Sequence, residues 1–176
     1  MTFQHQATFP RSPSSPSIAT KAFSAAAPDD GAPPHPADAL IAPADIELLA
    51  RARGAFTEHG EATAAAFYDT LFLNSPDLRP LFPVRMTNQR RKLAATLALV
   101  IDAARDPAVL GPVLDALARR HLAYGVRRRH YAAVGETLLA TLETAGLPAV
   151  ELAAWERAYA AISTRMIAAA YPQAQG

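Results

Sequence analysis

The chain has 176 residues, 51% of them hydrophobic, which is enough for one domain with a sizeable core. Its formal net charge of +1 gives no reason to expect nucleic acid or an anionic membrane as a partner. The absence of cysteine excludes disulfides, thiolate metal sites, iron–sulfur clusters and cysteine nucleophiles, so a metal would need histidine, carboxylates or a prosthetic group. No apolar run approaches the ~20 residues of a membrane span, and the N-terminus lacks the apolar core of a secretory signal. We therefore expect a cytoplasmic protein.

Residues 1–42 differ in composition from the rest of the chain. Prolines are scattered there among serine and alanine without a sustained apolar period. Such a segment cannot offset its ordering entropy, so we predict a disordered extension. A short arm that docks a partner, or sequence added by an upstream start codon, are the alternatives. The predicted folded domain covers 43–171, and 172–176 form a flexible tail.

Helical periods fill the first half of this domain. The first helix is expected to begin at Pro43 and the second to cover 61–73, with Phe67, Tyr68 and Leu71 on its inner face. Ser75-Pro76-Asp77 predicts a serine cap followed by a short turn. A long helix is then expected over 87–105.

The second half contains a helix with a single imidazole on its apolar face. Asp106-Pro107 is typical of a helix start, and Leu110, Leu114, Leu117 and His121 follow at helical spacing. Gly125 is expected to end this helix by adopting a left-handed conformation. Two further helices are predicted over 129–144 and from Pro148 onward. With no alternating run of strand length, the pattern predicts an all-α domain of six to eight helices.

Three polar side chains occupy faces that are otherwise aliphatic: Tyr68, Gln89 and His121. Burying each without a partner costs about 1–3 kcal/mol on mutational scales. Together they indicate a ligand cavity between helices, which is a usual place for a cofactor in an all-α domain. Taken separately, they could be a core tyrosine, a boundary glutamine and a packed core histidine.

The order and spacing of these residues resemble the bacterial single-domain haemoglobins and the globin half of flavohaemoglobins. The similar stretch covers about 125 residues, and 32 positions separate Gln89 from His121, as expected in that family between the distal polar residue and the iron ligand. The shared motifs are Phe67-Tyr68-x-x-Leu71-Phe72, Arg79-Pro80-Leu81-Phe82, Gln89-x-x-Lys92-Leu93, Arg120-His121-x-x-Tyr124-Gly125-Val126, His130-Tyr131-x-x-Val134-Gly135-x-x-Leu138-Leu139 and Ala154-Trp155-x-x-Ala158-Tyr159.

This resemblance implies a globin fold around haem b and assigns a role to each motif residue. His121 would be the proximal ligand and the metal-binding residue. Tyr68 and Gln89 would stabilise the distal ligand by hydrogen bonds, or one of them would bind the ferric iron when no ligand is present. The other expected haem contacts are Phe82 stacking on the porphyrin, Leu93 and Leu97 on the distal side, Leu117, Val126 and Tyr131 on the proximal side, and Lys92 at a propionate. A solvated surface lysine is the alternative for Lys92.

The chain departs from the family pattern at two points. A glutamate that supports the proximal histidine in flavohaemoglobins falls on Ala170, and no carboxylate follows Glu156. The His121 N–H is therefore expected to bond a backbone carbonyl such as that of Leu117, which predicts weaker electron donation to the iron. The chain ends at Gly176 without a GxGxxG fingerprint, so turnover is expected to need electrons from a separate reductase.

Three functions follow from the resemblance. The first is reversible binding of O2, NO and CO at ferrous iron, for NO scavenging or for oxygen binding. The second is nitric oxide dioxygenase activity with an external reductase. The third is a haem-based gas sensor. Arginines 119, 120, 127, 128 and 129 cluster around the proximal helix and could dock an acidic reductase, or could simply be a solvated face. A monomer and a homodimer are both compatible with the sequence.

Overall fold

The computed structural model describes residues 39–57 and 60–172, the side chains of 52–57 excepted. All of the predicted tail 172–176 except its first residue, and all of the predicted extension except its last four residues, lie outside this range. Within it, six α-helices and one 3-10 helix form the fold, and no strand occurs. Their bounds are α1 Pro43–Thr57, α2 Gly60–Asn74, the 3-10 helix Pro76–Leu81, α3 Thr87–Ala103, α4 Pro107–Ala123, α5 Arg128–Thr144 and α6 Ala149–Ala170. The predicted all-α class is confirmed.

The ends of α4 follow the predicted local chemistry. The Asp106 carboxylate accepts a hydrogen bond from the Ala108 N–H at 2.9 Å, and Pro107 occupies the first helical turn. At the other end Gly125 adopts φ 82°, and the Val126 N–H donates to the His121 carbonyl at 3.0 Å. This left-handed glycine terminates α4 one turn after His121.

Ser75 precedes the 3-10 helix as predicted, and its carbonyl accepts from the Leu78 N–H at 3.0 Å, but the predicted side-chain cap is wrong. The Ser75 side chain makes no capping hydrogen bond, and its backbone angles of φ −138° and ψ 69° are not those of an extended cap residue. Its N–H donates to the Leu71 carbonyl at 2.8 Å, so Ser75 directly follows α2 and links it to the 3-10 helix. The 3-10 helix begins at Pro76 because proline fixes φ there and lacks the N–H that would need a cap.

Helix packing places α4 and α5 where they can carry one side of a site. α6 packs against α1, α4 and α5, while α2 packs against α3, α5 and the 3-10 helix. Leu71, Leu110, Leu114 and Leu142 are the largest fully buried side chains. Each contributes about 1.5–3 kcal/mol by burial. No helix in the described ranges is both long and apolar enough to cross a bilayer.

An ion pair joins α1, the first helix of the described residues, to α6, the last. The Arg157 guanidinium on α6 donates to both carboxylate oxygens of Asp45 on α1, at 2.6 and 3.0 Å. Asp45 is buried, and the hydrogen bond from Arg157 lowers the pKa of its carboxyl below the ordinary value, although burial opposes the shift. The pair fixes the start of α1 against the middle of α6.

Candidate cofactor site

Tyr68 on α2 lies at the centre of an aromatic cluster. The centroid of its ring is 5.0 Å from that of Phe67, 5.8 Å from Phe72 and 5.4 Å from Phe82. The side-chain amide of Gln89, in the first turns of α3, donates to the Tyr68 hydroxyl at 3.2 Å. The fold therefore brings together Tyr68, Gln89 and Phe82, which are far apart in the sequence.

The proton of the Tyr68 hydroxyl is available for a hydrogen bond to a further acceptor. Only 3% of the residue is exposed, and this burial raises the pKa of the phenol above its ordinary value while the Gln89 hydrogen bond lowers it by less. The hydroxyl therefore stays protonated at neutral pH. Because it accepts from Gln89, its O–H remains a donor for a polar ligand beside α2 and α3.

Arg79 fixes the loop that carries Phe82. Its guanidinium donates to the carbonyls of Phe82, Pro83 and Val84 at 3.1, 3.2 and 3.3 Å. The same group lies 5.0 Å from the centroid of the Phe72 ring. Arg79 belongs to the Arg79-Pro80-Leu81-Phe82 motif, but its bonds to the loop carbonyls were not predicted from the sequence. The loop conformation that aims three carbonyls at one side chain has no local sequence signal.

His121 lies near the end of α4 with its imidazole in one defined tautomer. Its Nδ1 is 2.8 Å from the Leu117 carbonyl oxygen. A carbonyl only accepts, so Nδ1 carries a proton, and in the neutral ring the lone pair lies on Nε2. The residue is half-buried, which leaves Nε2 accessible to a ligand. The predicted hydrogen bond to the Leu117 carbonyl is confirmed.

Tyr131 on α5 lies beside His121, with ring centroids 6.2 Å apart and an angle of 27° between the ring planes. The residue is 7% exposed, and its hydroxyl has no hydrogen-bond partner among the described residues. Burial raises the pKa of this phenol, and the nearby Tyr171 raises it further. Ala170, which occupies the position of the family's glutamate, is also buried, so no carboxylate from this position reaches the Tyr131 hydroxyl.

A close helix contact holds Tyr131 in place. The Tyr159 hydroxyl on α6 donates to the Tyr131 carbonyl at 2.7 Å. The Tyr159 ring covers Gly135 so tightly that a Cβ added there would lie 2.4 Å from the ring. Glycine in the interior of α5 was a visible signal of close packing, but its partner could not be identified from the sequence.

The remaining predicted contact residues are either half-buried against the hydrophobic core or exposed. Leu93, Leu97, Leu117 and Val126 are half-buried and pack against the hydrophobic core. Lys92 is exposed and forms no ion pair within the described ranges. The turn after α4 lies next to the end of the 3-10 helix, because a Cβ added at Gly125 would lie 3.7 Å from Cδ2 of Leu81.

Comparison with known proteins decides the family. The family model described as Globin matches residues 65–166, more than half of the chain. The chain belongs to the globin family. The matched range contains the aromatic cluster around Tyr68. It also contains Gln89, His121, Tyr131 and Tyr159.

Relatives and solved structures agree with this assignment. The globin is 34% identical to the flavohemoprotein of Bordetella parapertussis over 134 residues, which are 73% of this chain and 33% of the relative. It is 32% identical to the flavohemoprotein of Bacillus subtilis over 131 residues, 69% of this chain and 32% of the relative. The chain thus spans about a third of the length of the curated relatives it matches. A bacterial globin from Campylobacter jejuni shares the fold with a TM-score of 0.62 and 24% identity, covering 72% of this chain and 94% of that one.

Membership in the globin family implies haem binding and, in general terms, binding of diatomic gases. The residues present fit that group. His121 offers an unprotonated Nε2 in a fixed tautomer, which is the form of imidazole that binds iron. Leu117 and Val126, both half-buried, lie within five positions of His121 in the chain, and they and Phe82 pack against the same hydrophobic core.

Proposed function

We propose that this globin holds haem b through His121 and binds O2, NO and CO reversibly, for NO scavenging or oxygen binding. The observation that carries the proposal is the hydrogen-bonded pair of Tyr68 and Gln89 inside an aromatic cluster. Haem b supplies a ferrous iron that binds diatomic gases. The chain supplies the imidazole, the apolar walls and two hydrogen-bond donors.

The distal pair sets how long a polar ligand stays. Tyr68 donates its O–H, and the amide of Gln89 fixes the direction of that O–H by donating to the same oxygen. Each 1.4 kcal/mol of added stabilisation slows release by about tenfold when association is unchanged. A buried and a half-buried donor therefore favour slow release, which suits capture of a gas better than its delivery.

The other haem contacts follow from the same placement. Phe82, fixed by Arg79, would stack on the porphyrin, with Leu93 and Leu97 on the distal side. Leu117, Val126 and Tyr131 would line the proximal side. The exposed Lys92 would reach a propionate from α3. A cytoplasmic monomer or homodimer is part of the proposal.

Nitric oxide dioxygenase activity is the second candidate, because the relatives named flavohemoproteins are 32–34% identical to this chain. The proximal side argues for gas binding as the principal function. The His121 N–H bonds a neutral carbonyl, and the buried Ala170 supplies no carboxylate to Tyr131 or His121. A neutral acceptor makes the imidazole a weaker electron donor than a carboxylate would.

NO consumption separates these functions. The haem-loaded protein is equilibrated with O2 and mixed with excess NO, with and without a reductase and NADH. Gas capture predicts that about one NO is consumed per haem and that the reductase adds little. Sustained consumption with the reductase would establish the dioxygenase instead. Failure to bind either gas would contradict both functions.

A further inference from the structure

The residue that directly follows α6, Tyr171, has each of its polar groups in a hydrogen bond. Its N–H donates to the Ile167 carbonyl at 2.9 Å, and its own carbonyl accepts from Nη2 of Arg128 at 2.9 Å. Its hydroxyl donates to the Val126 carbonyl. The last two partners lie 43 and 45 positions earlier in the chain. Because helix ends fray unless they are tied down, these bonds fix the end of α6 against another part of the fold.

Arg128 makes a second contact with the same residue. Its Cζ lies 5.2 Å from the centroid of the Tyr171 ring, in addition to the bond from Nη2 to the Tyr171 carbonyl. Arg128 is the first residue of α5, and Val126 lies two positions before it. Both contacts of Tyr171 with the earlier chain therefore fall where α5 begins. We call Tyr171, Arg128 and the Val126 carbonyl the α6 clasp.

The α6 clasp holds the turn between α4 and α5, which in the chain separates two residues of the candidate site, His121 and Tyr131. Val126 accepts from Tyr171 at its carbonyl and donates from its N–H to the His121 carbonyl at 3.0 Å. The His121 ring donates from Nδ1 to the Leu117 carbonyl at 2.8 Å. The two backbone groups of Val126 thus connect the end of α6 to the residue that carries the imidazole.

A tie from outside the turn restricts its backbone, because the turn contains Gly125 in the left-handed region with φ 82°. Glycine has more accessible backbone conformations than any other residue, so the turn has little stiffness of its own. The Val126 side chain follows this glycine directly, is half-buried and packs against the hydrophobic core. A fixed Val126 carbonyl therefore limits the arrangements that the Val126 side chain and the end of α4 can adopt.

We infer that Tyr171 is a positioning residue of the proximal side, which acts through Val126 on the orientation of His121. The inference rests on the proposed function, since it concerns the imidazole that would hold the haem. Loss of the Tyr171 hydroxyl leaves the tautomer of His121 unchanged, because the Leu117 carbonyl still accepts from Nδ1. What changes is the range of orientations of the ring, and with it the bond from Nε2 to iron.

The test compares Tyr171→Phe, which removes the hydroxyl and keeps the ring, with Tyr124→Phe. Tyr124 lies in the same turn, is 65% exposed and has no side-chain hydrogen bond within the described residues, so it is the matched control. Resonance Raman spectra of the ferrous, ligand-free haem protein report the iron–histidine band. Haem transfer to apomyoglobin reports haem retention, and urea titration reports stability. Both substitutions are also made in His121→Gly supplied with imidazole, where the ligand is no longer attached to α4.

With His121 in place, Tyr171→Phe is expected to shift or broaden the iron–histidine band and to release haem roughly 2- to 10-fold faster, the size of one neutral hydrogen bond. Tyr124→Phe should match wild type in both. In His121→Gly with imidazole, Tyr171→Phe should leave the iron–imidazole band unchanged, because the turn does not position a free ligand. Arg128→Gln loses the cation beside the ring and should act in the same direction with a smaller effect, which supplies the test if Tyr171→Phe does not fold.

An unchanged band and unchanged haem release in Tyr171→Phe would overturn the inference even if stability falls, because the residue would then be structural only. A band shift that persists in His121→Gly with imidazole would also overturn it, by showing that Tyr171 acts by a route other than His121. So would an equal shift in Tyr124→Phe. A wild-type protein that takes up no haem would instead refute the proposed function, and its absorption spectrum reveals this first.

Discussion

The two sides of the candidate pocket satisfy their polar groups in different ways. On the distal side Gln89 donates to Tyr68, whose hydroxyl proton stays available inside an aromatic cluster. On the proximal side His121 donates to a backbone carbonyl, and the buried Tyr131 hydroxyl has no partner among the described residues. The side proposed as distal thus offers the Tyr68 hydroxyl as a donor, while the side proposed as proximal holds the imidazole with a neutral acceptor.

This difference indicates whether the chain controls the release of a ligand or the chemistry at the iron. Donors beside a bound ligand slow its release, whereas an anionic partner on the proximal histidine would change the chemistry at the iron. In the described residues the Tyr68 and Gln89 donors are present, and the hydrogen-bond partner of the His121 ring is a neutral carbonyl. Removing a tyrosine hydroxyl from the distal side should therefore have a larger effect than removing one from the proximal side.

Tyr68→Phe should have the largest effect on ligand binding. It removes the O–H donor and keeps the ring among its aromatic neighbours. We expect O2 release to accelerate roughly 10- to 100-fold, because a charge-assisted hydrogen bond contributes about 1.5–3 kcal/mol. Stopped-flow displacement of O2 by CO measures this rate.

Gln89→Leu serves as the companion variant, since it removes the amide and leaves the Tyr68 hydroxyl in place. A smaller acceleration is expected there. Equal O2 release from wild type and Tyr68→Phe would show that Tyr68 does not face the ligand.

Much of this site could be predicted because its signals are local. The Asp106 cap, the left-handed Gly125 and the hydrogen bond from His121 to Leu117 each depend on residues within five positions. The position of Ser75 before the 3-10 helix was predicted correctly, but its side-chain cap was not, because its N–H bonds back to Leu71 and its backbone is not that of an extended cap residue.

Long-range pairs could not be predicted. Asp45 and Arg157 are 112 positions apart, and nothing in the local sequence distinguishes them from the other charged residues. The contact of Gly135 with Tyr159 depends on how α5 crosses α6, which periodicity does not determine.

Gly135→Ala tests how firmly the proximal side is held. The new Cβ would lie 2.4 and 2.8 Å from two carbons of the Tyr159 ring, so the ring must move and weaken its hydrogen bond to Tyr131. Overpacking costs about 1–3 kcal/mol, partly offset by the ~1 kcal/mol better helix propensity of alanine. The free energy of unfolding should fall by up to about 2 kcal/mol in urea titrations.

Gly111→Ala is the matched control, since that glycine is also inside a helix and meets only the flexible end of Arg165, at 3.1 Å. It should leave stability unchanged or raise it. A stable Gly135→Ala protein with an unaltered Tyr159 environment would contradict the close packing described here.

The proximal side should also lose stability in mild acid. His130 is 7% exposed, and burial is the main cause of its lowered pKa; Arg129 and Arg127 lower it further and Asp77 opposes them. Its Nδ1 accepts from the Arg127 N–H at 3.1 Å, which requires the neutral ring. Below a pH of about 6.5 the unfolded chain takes up a proton that the folded chain refuses, so stability is complete above that pH and falls below it.

The loss cannot exceed about 1.4 kcal/mol per pH unit for one group. His130→Asn keeps a hydrogen-bond acceptor without a titrating ring, and its stability between pH 8 and pH 5.5 should fall less than that of wild type. Parallel curves for the two proteins would exclude His130 as the source of the acid sensitivity.

Tyr131→Phe should have the smallest effect. It removes a buried hydroxyl that has no hydrogen-bond partner among the described residues, so no bond is lost. We expect stability within about 0.5 kcal/mol of wild type or slightly higher, and O2 release within about twofold. An effect as large as that of Tyr68→Phe would remove the distinction between the two sides.

The most direct test of the central claim, that His121 binds the haem iron through Nε2, is an absorption spectrum. Wild type and His121→Gly are loaded with haem, reduced with dithionite and treated with CO, with and without added imidazole. We expect a sharp Soret band that shifts with CO in wild type, an altered spectrum in the variant and recovery of the wild-type spectrum with imidazole. A wild-type protein that takes up no haem, or a variant whose spectra equal those of wild type without imidazole, would contradict the claim.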